Sequence, residues 1–165
     1  MDRKTKEIIW NQFGAAIDTL DNAIVACPDE LWDDRTRQPE FWYVAFHTLF
    51  WLDYYLTADA DMFSPPPPFG LEELDPAGVI PERPYTKDEI RMYLTHGRRK
   101  CKTSIMAMTD ERAEEVFEFG RVHLSFGELL LYSMRHVQHH AAQLNLLLRQ
   151  EIDSAPGWVF RAKED

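Results

Sequence analysis

A chain of 165 residues that is 45% hydrophobic and 13% aromatic, with only 7 Gly and a formal charge of -10, carries enough apolar bulk for one compact domain without disulfide staples. Its charge comes from 28 acidic against 18 basic residues with no compact basic cluster, which argues against nucleic acid as a partner because phosphate binding rests on cationic neutralisation. The charged start Met1-Asp2-Arg3-Lys4-Thr5-Lys6-Glu7 and the lack of a long apolar run argue against a secretion signal and a membrane span.

Residues 4–27 place Ile9, Phe13, Ile17, Leu20, Ile24 and Cys27 at three-and-four spacing before Pro28, which predicts a first amphipathic helix. Pro39 sits where a first helical residue often does, so a second helix is expected over 39–58; its apolar residues run nearly all round, so it should be largely buried. Between Asp59 and Pro84 the run Pro65-Pro66-Pro67-Pro68, followed by Gly70, Pro76, Gly78, Pro81 and Pro84, forbids a continuous helix. So long a connection either spans the end of a bundle or covers a site there, and a linker between two domains is the weaker alternative because neither half has an evident complete core.

Thr86-Lys87-Asp88-Glu89 is a capping box that opens a third helix over 86–108, with the stripe Ile90, Leu94, Gly97, Cys101, Ile105 and Met108. Arg98-Arg99-Lys100 within it reads as a solvated helix face. Residues 109–124 are polar and then aromatic, ending at Gly120. Ser125-Phe126-Gly127-Glu128 is a second capping box, starting a helix over 126–151. In the tail, Trp158, Val159 and Phe160 should dock on the bundle or on a second subunit, since exposure forfeits on the order of 2 kcal/mol per large side chain. The outcome is an all-α protein with four long helices in a single domain over residues 1–165. Cys27 and Cys101 are far apart in sequence; free thiols in a reducing cytoplasm are expected, with one disulfide as the alternative.

Chemistry concentrates in the histidines. His136 and His140, four residues apart, stand one above the other on one helix face, and their ring nitrogens can converge on one ion. The face through Leu129, Tyr132, His136, His140 and Gln143 adjoins the apolar stripe Leu130, Met134, Val137, Ala141, Leu144 and Leu148. On the second helix His47 is a lone imidazole among aromatics, sharing a face with Tyr43, Trp51 and Tyr54. Three neutral imidazoles suit zinc, nickel or another late first-row divalent ion and leave a position open for chemistry, which points to hydrolysis or group transfer. His139 is offset round the helix and reads as peripheral or at an interface, while His123 and His96 read as surface residues. Asp53 lies off the His47 face and Glu128 two turns before His136, so no general base stands out. Glu-x-x-His, His-Glu-x-x-His, a nucleophile elbow, a Walker loop and paired-Cys motifs are absent.

With these residues in place, the chain resembles the DinB-like (YfiT-like) metal-dependent hydrolase superfamily over nearly its whole length. His136-x-x-x-His140-x-x-Gln143-Leu144 is similar to that family's C-terminal signature, and His47 matches its earlier ligand. The resemblance implies a four-helix bundle in up-down-down-up order, with a long crossover between helices two and three, and a divalent metal, commonly nickel or zinc, on His47, His136 and His140. It further implies a frequent homodimer and a small-molecule substrate that is hydrolysed, or transferred or isomerised with a low-molecular-weight thiol such as mycothiol or bacillithiol. Ala142 departs from the Gly that relatives often carry before the Gln, a sterically mild change. Gln143 could orient a ligand or simply make a helix contact. The alternative is a non-catalytic, metal-stabilised dimeric binding module, with a metal sensor or store as a more distant reading.

Overall fold

The amphipathic segments form four long helices: α1 (Arg3–Ala26), α3 (Phe41–Tyr55), α4 (Lys87–Ala107) and α6 (Phe126–Ile152), with a one-turn α2 (Asp29–Trp32) and a short α5 (Asp110–Glu114) between them. The structure is a computed structural model that describes residues 1–57 and 60–164, and it is mostly helical. Helix α1 packs on α4 and α6, and α3 packs on the same two helices from the other side. Phe13, Ile17, Leu20 and Ile24 of α1 are fully buried, as their spacing requires. Both capping boxes are present: the Thr86 and Ser125 hydroxyls accept from the third helical amide while Glu89 and Glu128 reach back to the cap amide. These reciprocal bonds satisfy amide donors that a helix start otherwise leaves open.

Helix α3 is shorter than the apolar pattern suggests. It opens at Phe41 rather than Pro39 because Glu40 takes the cap position in extended conformation and its carboxylate receives the Trp42 indole N–H. At the other end the Thr57 amide bonds to the Tyr54 carbonyl at 3.0 Å and its hydroxyl to the Asp53 carbonyl at 2.9 Å. Those bonds satisfy the last carbonyls and stop the helix at Tyr55. Ala58, the expected helix end, and Asp59, the expected start of the connection, lie outside the described residues. Where α3 meets α4, a Cβ on Gly97 would come within 3.1 Å of Leu52 Cδ2, so glycine sets that approach.

The described part of the Pro-rich connection contains two single 3-10 turns, Ala60–Met62 and Glu72–Leu74, and sinks its aromatics into the core. Phe69 stacks on Tyr93 with ring centroids 4.4 Å apart and on Phe46 at 5.9 Å; Phe63 meets Phe50 edge-on at 5.2 Å. The connection therefore packs against helices that precede and follow it.

Three further features differ from the sequence reading. Residues 116–125 form an antiparallel hairpin, β1 (Val116–Phe119) and β2 (Val122–Ser125), around a two-residue turn in which Gly120 takes φ +55°. Phe117 and Phe119 lay its inner side on Tyr54, Tyr55 and Trp51 of α3. Second, Arg98 and Lys100 are not a solvated face: Arg98 bonds to Asp18 and the Lys163 carbonyl, and Lys100 bonds to the buried Asp53, which also accepts from Tyr93. Third, Trp158 and Phe160 do not dock on the helices, being 71% and 81% exposed. The tail is held instead by its backbone and by Ala162, whose amide bonds to the Asn11 carbonyl at 2.9 Å, while the Lys163 amide bonds to Asp18. Gly14 opens the space for this, since a Cβ there would lie 2.5 Å from Ala162 Cβ. Both cysteines are buried and free. Among the described residues no helix is long and apolar enough to cross a membrane.

Candidate metal centre

Helices α3 and α6 face each other along the length that carries the three histidines. One turn of α6 separates His136 from His140, which brings their ring centroids to 4.5 Å. His47 arrives from α3 with its ring 5.2 Å from that of His136 and 4.9 Å from that of His140. Each residue offers one ligand atom, and these atoms all lie within 4.8 Å of one another. The Nε2 atoms of His136 and His47 are 3.3 Å apart, and those of His136 and His140 3.1 Å.

Hydrogen bonds on the far side of two rings dictate what faces this centre. The Nδ1 of His47 is 2.7 Å from a Glu73 carboxylate oxygen, and the Nδ1 of His140 is 2.7 Å from Gln143 Oε1. Carboxylate and amide oxygens only accept, so each Nδ1 carries a proton, and in its neutral form each ring turns an Nε2 lone pair inward. Two converging lone pairs repel unless a proton or a cation lies between them. His136 can supply at most one N–H there, and its buried Nδ1 has no hydrogen-bond partner among the described residues. Protonation is disfavoured: burial first, then the neighbouring His140 and His47, pull His136 down to about 3. Burial likewise pulls His140 down to about 4 against the opposing Gln143 bond.

The donor set fits a divalent ion. Two nitrogens each about 2.0–2.1 Å from a tetrahedral centre lie about 3.3 Å apart, close to the spacings found here. Imidazole donors suit zinc, nickel and their neighbours rather than calcium or magnesium.

Aromatic walls surround the cluster: Tyr43 and Trp51 flank His47 at 6.4 and 6.3 Å, and Tyr55 meets His136 edge-on at 6.3 Å. Two hollows adjoin it. The larger, about 540 Å³, runs along α6 and touches only His136 of the three. The smaller, about 220 Å³, is lined by Pro39, Tyr43, Val44, His47, His140 and Gln143. It is the better approach to the centre because it reaches two of the three imidazoles. That approach lies at the start of α3, whereas the Pro-rich connection stands behind His47.

Of the other residues singled out from sequence, His139 is exposed and outside the cluster, though its ring is 5.0 Å from that of His140. His123 is exposed and pairs with Glu118 on the hairpin. His96 is partly buried beside Asp53 at 3.4 Å rather than a plain surface residue. Asp53 is committed to α4, and Glu128 to its cap. Gln143 bonds His140 and is more than a helix contact. Glu73 was not foreseen. Its side chain is 6% exposed, and it accepts from Trp51 Nε1 at 2.8 Å as well as from His47. Burial works to raise the Glu73 carboxyl, but the bonds and charge from His47, with Tyr43 and Trp51, outweigh it and hold it below its ordinary value. No spacing rule connects Glu73 to His47 across a connection of this kind; the only signal was that the connection covers something.

A family model described as the DinB superfamily matches residues 12–144 of this chain. No curated protein and no solved structure matches it.

Proposed function

The chain belongs to the DinB superfamily, and from that premise we propose that it is a divalent-metal-dependent enzyme whose ion, nickel or zinc, is held by His47, His136 and His140. The observation that carries this reading is the convergence of three Nε2 atoms, two of them oriented as lone pairs by Glu73 and Gln143. The family's up-down-down-up bundle over one domain of residues 1–165 is part of the same proposal, as is a reducing cytoplasmic setting.

A divalent ion held there supplies Lewis acidity toward a carbonyl or phosphoryl oxygen, a water or a thiol. Three protein donors leave a coordination position open, as hydrolysis or thiol-dependent transfer requires. The protein's own residues do the rest. Glu73 and Gln143 keep the Nδ1 protons of His47 and His140 away from the centre. Tyr43, Trp51 and Tyr55 exclude bulk water on the α3 side, and the Pro39–Tyr43–Val44 cleft offers a small substrate an apolar seat. Among the described residues no carboxylate lines the cleft, and Glu73 lies behind the His47 ring.

The test is turnover. Protein loaded with zinc or nickel is assayed against ester and amide substrates, and against electrophiles with low-molecular-weight thiols. Activity that appears with metal and falls to background in His47→Ala and His140→Ala supports the enzyme. A second reading, a metal-stabilised dimeric binding module, draws on the exposed Trp158 and Phe160. Under it every assay stays blank, the His→Ala variants lose only stability, and Trp158→Ser with Phe160→Ser turns a dimer into a monomer.

A further inference from the structure

We propose that Glu73 is the positioning carboxylate of the histidine cluster, fixing the tautomer of His47 and so tying metal affinity to the seating of the crossover. This rests on the three-histidine reading above.

Glu73 belongs to the 3-10 turn Glu72–Leu74, in a segment that packs Phe63 and Phe69 against the helices. Its carboxylate nevertheless lies against three polar groups on one face of α3. The residues are Tyr43, His47 and Trp51, at steps of four. Two of these contacts are hydrogen bonds to one oxygen, Oε2: His47 Nδ1 at 2.7 Å and Trp51 Nε1 at 2.8 Å. The Tyr43 hydroxyl adjoins the same carboxylate. Glu73 is not one of the converging ligand atoms, which come from His47, His136 and His140. It sits on the far side of the His47 ring, with its other oxygen buried and without a hydrogen-bond partner among the described residues.

A merely structural carboxylate would pin the crossover to α3 and have no bearing on which nitrogen of His47 is protonated. A carboxylate bonded to Nδ1 makes the Nδ1–H form the favoured one, aims the Nε2 lone pair at His136 and His140, and raises the ring's basicity as a ligand. Removing such a partner typically costs 10–100-fold in metal affinity.

Two measurements on the wild type and Glu73→Leu, which removes the acceptor at His47 Nδ1, decide between these roles. Long-range proton–nitrogen correlation spectra of the metal-free protein report the His47 tautomer, and competition with a chromophoric chelator reports zinc affinity. We expect the Nδ1–H form in the wild type, its loss in the variant, and zinc affinity lower by about 10–100-fold. A variant with unchanged tautomer, or with unchanged zinc affinity, overturns the proposal whether or not its melting temperature falls. If the variant does not fold, the wild-type tautomer still decides, because Nε2–H on His47 contradicts the assignment. A wild type that binds no zinc overturns the three-histidine reading and the coupling to affinity, while its His47 spectrum still tests whether Glu73 sets the tautomer.

Discussion

Two half-buried imidazoles, His136 and His140, packed beside His47, set how the protein responds to acid. Their ordinary value is about 6.5, and in the folded chain burial takes His136 to about 3 and His140 to about 4. Above pH 6.5 neither the folded nor the unfolded state holds the extra protons, and stability has no dependence on these groups. Below it the unfolded chain binds protons first, so metal-free protein loses stability from about pH 6.5 down to about 4, flattening where the folded rings also protonate. Each ring forfeits at most about 1.4 kcal/mol per pH unit over that window, less here because both are partly exposed. Urea unfolding of metal-free wild type and of His136→Asn with His140→Asn isolates it from carboxylate titration. The wild type should lose more stability than the variant, and parallel profiles would refute the assignment. At this scale His136 and His140 were legible from their spacing, and His47 from being the lone imidazole in an aromatic run. Glu73 was not legible, because its partner is set by how a non-periodic segment folds back on α3.

Elements with local instructions were legible, and those made by distant contacts were not. The capping boxes at Thr86 and Ser125 start α4 and α6 where the sequence places them, because cap and third residue act within one turn. The opening of α3 was misplaced at Pro39 because the Glu40–Trp42 contact that sets it carries no propensity signal. The hairpin had a readable cue in Val-Phe-Glu-Phe followed by Gly120, though its length left it looking like a polar loop. The tail was misjudged for a different reason. Aromatic bulk suggested docking through Trp158 and Phe160, yet the anchor is Ala162 in the space left by Gly14. Gly14→Ala tests that anchor. A helix-interior alanine gains about 1 kcal/mol, while overlap with a packed neighbour costs about 1–3 kcal/mol. A net destabilisation of about 1 kcal/mol is expected, together with faster proteolysis after residue 155. An unchanged cleavage rate would mean that the tail is held elsewhere.

For the whole molecule, the helical class and the pairing of the His47 segment with the His136–His140 segment followed from periodicity and from which faces were apolar. What periodicity could not give was the role of the crossover, which closes the α3 face with Phe63 and Phe69 while presenting Glu73 to His47. Site and connection are thus parts of one packing arrangement, which under the proposed reading holds a divalent ion. Elemental mass spectrometry on tag-free protein, beside the His136→Ala, His140→Ala variant, measures that most directly. About one nickel or zinc ion per chain is expected, lost in the variant. Metal absent from the wild type even after reconstitution, or retained equally by the variant, would contradict that reading.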